Sequence, residues 1–185
     1  MKILKLVSLL LIAVLLISGC AGKGSTKGVK EIWYPEWWNE QEDLHYIHTY
    51  GVATRLLETM ALDTAANNAI FEAAKYVETR VKGMMKTFEE EAGVKDPQLL
   101  SLSSKVVKTL ANATFTGSKV TEQKMIQVEV DGTVRYKCFV RYSVPKETIN
   151  KNSIDHIKNE EALYNQFKAS QAFGDLEKEI EKYDD

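Results

Sequence analysis

The sequence predicts an α+β fold: a long alanine-rich helix packed on a small antiparallel sheet in the order β-α-α-β-β, followed by a C-terminal helical extension. Three observations carry that prediction. Apolar residues recur at spacings of three and four through residues 56–91. Residues 134–144 alternate apolar and polar, just after the turn signal Asp131-Gly132. An aromatic and β-branched stretch at 44–53 precedes the long helix.

Residues 44–53 read as the first strand. A strand turns successive side chains to opposite faces. Tyr46, His48 and Tyr50 therefore share one face, and Ile47, Thr49, Gly51 and Ala53 the other. The second face is small enough for a helix to approach closely. The helix at 56–91 carries the stripe Leu62, Ala66, Ala69, Ala73, Val77, Val81, Met84 and Phe88. Glu72, Lys75, Glu78, Thr79, Lys82 and Glu89 lie off it. The stripe is alanine first and bulkier later, so the tightest contact with the sheet is expected near the helix start. Gly83 offers a bend, and Ala92-Gly93 a stop with Gly93 as left-handed cap. Asp96-Pro97 opens a second helix, because aspartate caps well and proline suits the first helical position. Leu99, Leu102, Val106 and Leu110 line one side of it.

Thr114–Val130 and Val134–Val144 read as a hairpin. In its second strand Val134, Tyr136, Cys138, Val140, Tyr142 and Val144 face one way, and Arg135, Lys137, Phe139, Arg141 and Ser143 the other. Two registers compete at the turn. A two-residue loop sets Val128 opposite Arg135 and mixes apolar with charged residues on one face. A three-residue loop, Val130-Asp131-Gly132, sets Val128 opposite Val134 and Ile126 opposite Tyr136. A one-residue slip reverses every side chain, so the purer face favours the three-residue loop. Pro145 closes the hairpin. Residues 146–185 read as helical and weakly amphipathic, with Ile154, Ile157, Phe167, Phe173, Leu176 and Ile180 among charges. This extension either packs on the domain or orders with a partner.

The N-terminus predicts location. Lys2 and Lys5 precede the apolar run 6–17, and Ser18, Gly19 and Cys20 follow. That order is an export signal, expected at 1–19. Crossing a bilayer takes about 20 apolar residues, which favours processing over an uncleaved anchor. Ile17-Ser18-Gly19-Cys20 looks like a bacterial lipobox, so Cys20 is the expected lipidation site. Residues 20–31 form the lipidated tether, and the domain spans 32–145. Ala21, in place of an aspartate, points to the outer membrane. All three tryptophans fall within Ile32-Trp33-Tyr34-Pro35-Glu36-Trp37-Trp38. Two readings fit them: an interfacial belt, or a cover over an open edge of the core.

Composition narrows the chemistry. The 185-residue chain has 24 Lys and Arg against 26 Asp and Glu, a net charge of −2 without a basic block, so nucleic acid is not an expected partner. It has two cysteines; with Cys20 lipidated, Cys138 stands alone and no internal disulfide forms. A buried Cys138 would behave as an inert hydrophobe. His45 and His48 point to opposite faces of a strand and do not share a metal. Asp63 and Glu89-Glu90-Glu91 fit a solvated helix face. No catalytic motif, metal site or cofactor is expected, and the chain is not expected to be an enzyme. Tyr46, His48, Tyr50, Arg135, Phe139 and Arg141 form a candidate partner face, unless the second helix or the tail covers it.

Three stretches, Pro35-Glu36-Trp37, Tyr46-Ile47 to Tyr50-Gly51-Val52-Ala53, and the run Ala61, Ala65, Ala66, Ala69, Ala73 and Ala74, resemble the LPP-twenty-type (twenty-kilodalton membrane-associated) lipoprotein family. Asp131-Gly132 and Tyr136 add to the likeness, which covers residues 33–145. The resemblance implies a long helix across a small antiparallel sheet. It also implies a non-catalytic structural or protein-interaction role at the outer membrane or cell surface, with flagellar or surface assemblies as the setting. A small-ligand or lipid-binding envelope module is the alternative. Residues 146–185 fall outside the likeness. The expected partners are the membrane, through Cys20, and an envelope protein; self-association through strand edges is a third option.

Overall fold

A computed structural model describes residues 32–40 and 43–183. The signal segment, Cys20 and the tether lie outside the described residues. Strand β1 spans Tyr46–Arg55, helix α1 Glu58–Glu91, helix α2 Pro97–Ala111, and strands β2 and β3 Lys119–Val130 and Thr133–Pro145. Helices α3 (Lys146–Asn159), α4 (Glu161–Phe167) and α5 (Gln171–Glu181) follow. The strands form one antiparallel sheet in the order β1-β3-β2. The fold is α+β, with the predicted β-α-α-β-β order and C-terminal helices.

Helix α1 crosses two different floors. Its first half buries Ala61, Ala65 and Ala69 against Ala53, Cys138 and Val140 of the sheet. The approach is close because Gly51 lacks a side chain. A Cβ there would stand 1.9 Å from the Ala65 carbonyl oxygen and 2.5 Å from the Ala69 nitrogen. The buried Thr49 hydroxyl donates to the Ala69 carbonyl at 2.8 Å, and Asn68 Nδ2 donates to the Val52 carbonyl at 3.0 Å. The second half buries Val77, Val81, Met85 and Phe88 in a cluster that joins Ile47 and Val144 of the sheet to the other helices. The buried stripe is Ala61, Ala65, Ala69, Ala73, Val77, Val81, Met85 and Phe88. Leu62, Ala66 and Met84 flank it, half-buried. At the helix end Gly93 has φ +65, as a left-handed cap requires, and Val94 N–H reaches the Glu89 carbonyl at 2.9 Å. Asp96 caps α2 by accepting from Gln98 N–H at 2.8 Å.

The hairpin corrects the predicted loop. Val130 pairs with Thr133 and Val128 with Arg135, so the loop is the two residues Asp131-Gly132. Their φ values, 52 and 72, are those of a type I′ turn, whose twist matches that of paired strands. The apolar set expected to decide the register, Ile126 and Val128, lies on the face away from α1. Met125 takes the core position opposite Cys138. Lower on β2 the register shifts between Val120 and Glu122, leaving Thr121 as a bulged residue.

The C-terminal helices are part of the core. Ile149, Ile157, Leu163, Phe167 and Phe173 are wholly buried and share one cluster with Ile47, Val81, Phe88, Leu110 and Val144. Phe88 lies 5.6 Å from Phe167 and 5.5 Å from Phe173, centroid to centroid. Residues from Tyr34 onward thus form a single unit rather than a domain with a separable tail.

Candidate functional site

The registers bring the predicted partner residues onto one side of the sheet. Three cross-sheet rows define it: His48 beside Ser143, Tyr50 beside Arg141 and Glu122, and Val52 beside Phe139 and Lys124. Tyr46 begins the same side of β1, and Arg135 ends it on β3. The face is not bare. Phe139 is fully buried beneath Tyr34 and Trp38, whose rings meet it nearly edge-on at 6.0 and 5.3 Å. Trp38 also lies 5.0 Å from Tyr50, and Trp37 stacks parallel to Tyr50 at 6.3 Å. Tyr34 stacks on Trp38 at 5.5 Å. Pro35 is buried and its carbonyl accepts from Trp38 N–H at 2.9 Å, closing residues 34–40 into a strap. The cover is this strap, not the second helix or the tail.

Under the strap runs a chain of polar contacts. The Arg141 guanidinium, 13% exposed, pairs with Glu40, lies 3.4 Å from Glu122, and donates from Nε to Thr121 Oγ1 at 3.2 Å. Thr121 Oγ1 and Ser143 Oγ are 2.7 Å apart, and Ser143 Oγ is 2.8 Å from His48 Nδ1. His48 Nε2 lies 3.6 Å from Asp43 Oδ2. The β2 bulge lets the Thr121 hydroxyl reach both Arg141 and Ser143; alternation alone gave no sign of it. The Tyr46 backbone N–H holds the Asp43 carboxyl below the usual aspartate range, with lesser help from His45 N–H and His48. Tyr50 donates to the Glu40 carbonyl; burial pushes its phenol up, while Arg141 pulls it down.

Ser143, His48 and Asp43 follow one another as in a hydrolase triad, but the arrangement does not suit nucleophilic attack. The Ser143 side chain is sealed between strands at 1% exposure, and the His48–Asp43 separation is beyond hydrogen-bond range. Acyl transfer also needs donors aimed at the developing oxyanion and room for a substrate. The chain instead locks all three strands and the strap together. Cys138 lies on the opposite, helix-facing side, where burial raises its thiol pKa. Among the described residues no group of three His, Cys, Asp or Glu is placed to hold a metal ion.

Two of the hollows elsewhere lie along α1. A cavity of about 90 Å³ sits between α1 and the sheet, lined in part by Ala73, Ala74, Val77, Phe115, Tyr142 and Val144. A shallow groove along the outer edge of β1 is lined by Thr49, Tyr50, Glu72, Lys75, Tyr76 and Thr79.

Comparison with family models, with curated proteins and with solved structures found no match to the chain. No helix among the described residues is long and apolar enough to cross a membrane.

Proposed function

We propose that this chain is an outer-membrane-anchored lipoprotein with a non-catalytic structural or protein-interaction role in the bacterial envelope. The observation that carries the proposal is the ending of the apolar run in Ile17-Ser18-Gly19-Cys20. The short polar stretch after it leads directly into the aromatic strap, a secured point for a tether to pull on. The likeness to the LPP-twenty-type lipoproteins supports the same role and rests on the residues quoted for it. Labelling cells with palmitate and fractionating them tests the anchor. The wild-type chain is expected to take up label and sediment with outer membranes, and Cys20→Ser to lose both. An unlabelled wild-type chain, or a Cys20→Ser chain of identical mature mass and location, overturns the reading. Crosslinking in intact cells then identifies the envelope partner.

A second reading, a small-ligand module, is favoured by the alanine- and tyrosine-lined cavity. Its size decides what it admits. Ligand sites commonly enclose about 300–1,000 Å³, so about 90 Å³ suits a few atoms and not a lipid chain. Mass spectrometry of an extract from natively purified protein tests it: a stoichiometric compound of a few heavy atoms would favour this module, and its absence would count against it.

A further inference from the structure

Beyond the strap the sheet face changes character. The registers place Lys137 beside Thr54 and Ile126, and Arg135 beside Val128, with Lys124 and Val52 flanking Phe139. Lys124 and Val52 are exposed, while Ile126, Val128, Arg135 and Lys137 are half-buried. Lys137 Nζ lies 4.9 Å over the Phe139 ring. Toward the other end Glu40 and Glu122 are engaged by Arg141 and Asp43 lies beside His48, while Glu36 is in the strap and Asp131 in the turn beyond Arg135. Glu129 alternates to the helix-facing side, opposite Val134. In a chain of net charge −2, this half-face is a local cluster of cations set among apolar side chains.

We propose that this half-face docks on the anionic phospholipid surface of the membrane that holds the anchor. The proposal rests on the anchored reading. Only residues 21–33 separate Cys20 from Tyr34, where the compact unit begins, and the Tyr34 ring lies on this same face; at no more than about 3.6 Å per residue, that length of chain keeps the face within reach of an anchoring bilayer. A cation at an anionic leaflet strengthens attachment by about fivefold. Trp and Tyr suit the headgroup level, and Tyr34 and Trp38 lie against Phe139, the ring that Lys137 overlies.

The tryptophans, all at 33–38, report the docking. The full lipidated chain is reconstituted into vesicles of brominated phosphatidylglycerol or brominated phosphatidylcholine, and flotation is scored beside tryptophan quenching. Quenching is expected in the anionic vesicles and to fall at least about twofold in Lys124→Glu/Arg135→Glu/Lys137→Glu. The milder Lys124→Gln/Lys137→Gln covers the case in which the triple variant fails to fold. Raising salt from about 0.1 to 1 M, which shortens the screening length from about 10 to 3 Å, is expected to release the wild-type face without releasing the anchor. A chain that floats with quenching indifferent to lipid charge, salt and substitution overturns docking alone, and leaves the cations to an acidic protein. Charge-dependent quenching in a chain that takes no palmitate overturns the anchor alone.

Discussion

At the scale of single residues, Gly51 sets the distance between helix and sheet. An added methyl group there meets helix backbone, not a movable side chain, so α1 must lift off the sheet. Gly51→Ala is expected to lower unfolding free energy by about 2–3 kcal/mol, at the upper end for overpacking a tight contact. Urea denaturation measures it, and an unchanged midpoint would contradict the tight packing. Cys138 poses the opposite case, a reactive group made inert by burial. In a Cys20→Ser background its thiol is expected to ignore Ellman's reagent in the native protein and to react on unfolding in guanidinium. A thiol that titrates in the native state would place Cys138 outside the core.

At the scale of elements, the hairpin records a contest that turn chemistry won. Separating apolar from charged side chains favoured the longer loop, but β2 is an edge strand and the core asks only Met125 of its central stretch. The backbone twist of Asp131-Gly132 then decided the register. Gly132 has φ +72, where a β-branched side chain is strained. Gly132→Val is expected to cost about 1–2 kcal/mol. Asp131→Asn, which tolerates the same backbone region, is expected to change stability by less than about 0.5 kcal/mol. Equal losses from the two, compared by thermal unfolding, would rule out the type I′ turn.

At the scale of the molecule, the end of α1 is clasped by the last helices. Glu91 Oε2 accepts from Ser170 Oγ at 2.7 Å and from Ala172 N–H at 2.9 Å, and Gln166 Nε2 donates to the Ala92 carbonyl at 2.9 Å. The Ala172 N–H, then the Ser170 hydroxyl, hold the Glu91 carboxyl below the usual glutamate range. A carboxyl depressed by folding stabilises the native state above its unfolded pKa and loses that contribution as pH falls through its folded value. Glu91→Gln is therefore expected to be less stable than wild type at pH 7, with the gap closing below about pH 4. A gap that persists undiminished in acid denaturation at pH 2–3 would show that the clasp does not depend on charge. A chain ending at Pro145 uncovers Val81, Met85 and Phe88 together. It is expected to give no cooperative unfolding transition, whereas near-UV circular dichroism that survives the truncation would make the last helices an accessory.

The sequence by itself determined what local chemistry dictates. The faces of β1 and β3, the long helix and its Gly93 stop, the Asp96 cap and the order of elements follow from side-chain period and backbone preference within a few residues. The proposal that residues 1–19 form an export signal and that Cys20 carries lipid likewise rests on local chemistry alone. Only the tertiary structure decided where separate segments meet. Three tryptophans marked residues 33–38 as unusual, but not that Tyr34 and Trp38 would close over Phe139 a hundred residues later. Weak amphipathicity made residues 146–185 look like a tail, because short helices in one core each show only a few buried residues. The Asp43–His48–Ser143–Thr121–Arg141 chain was invisible for the same reason: its members come from three strands and an approach loop. Local preferences are set by neighbours in the chain, whereas long-range contacts are selected by the shape and polarity of surfaces that exist only after folding.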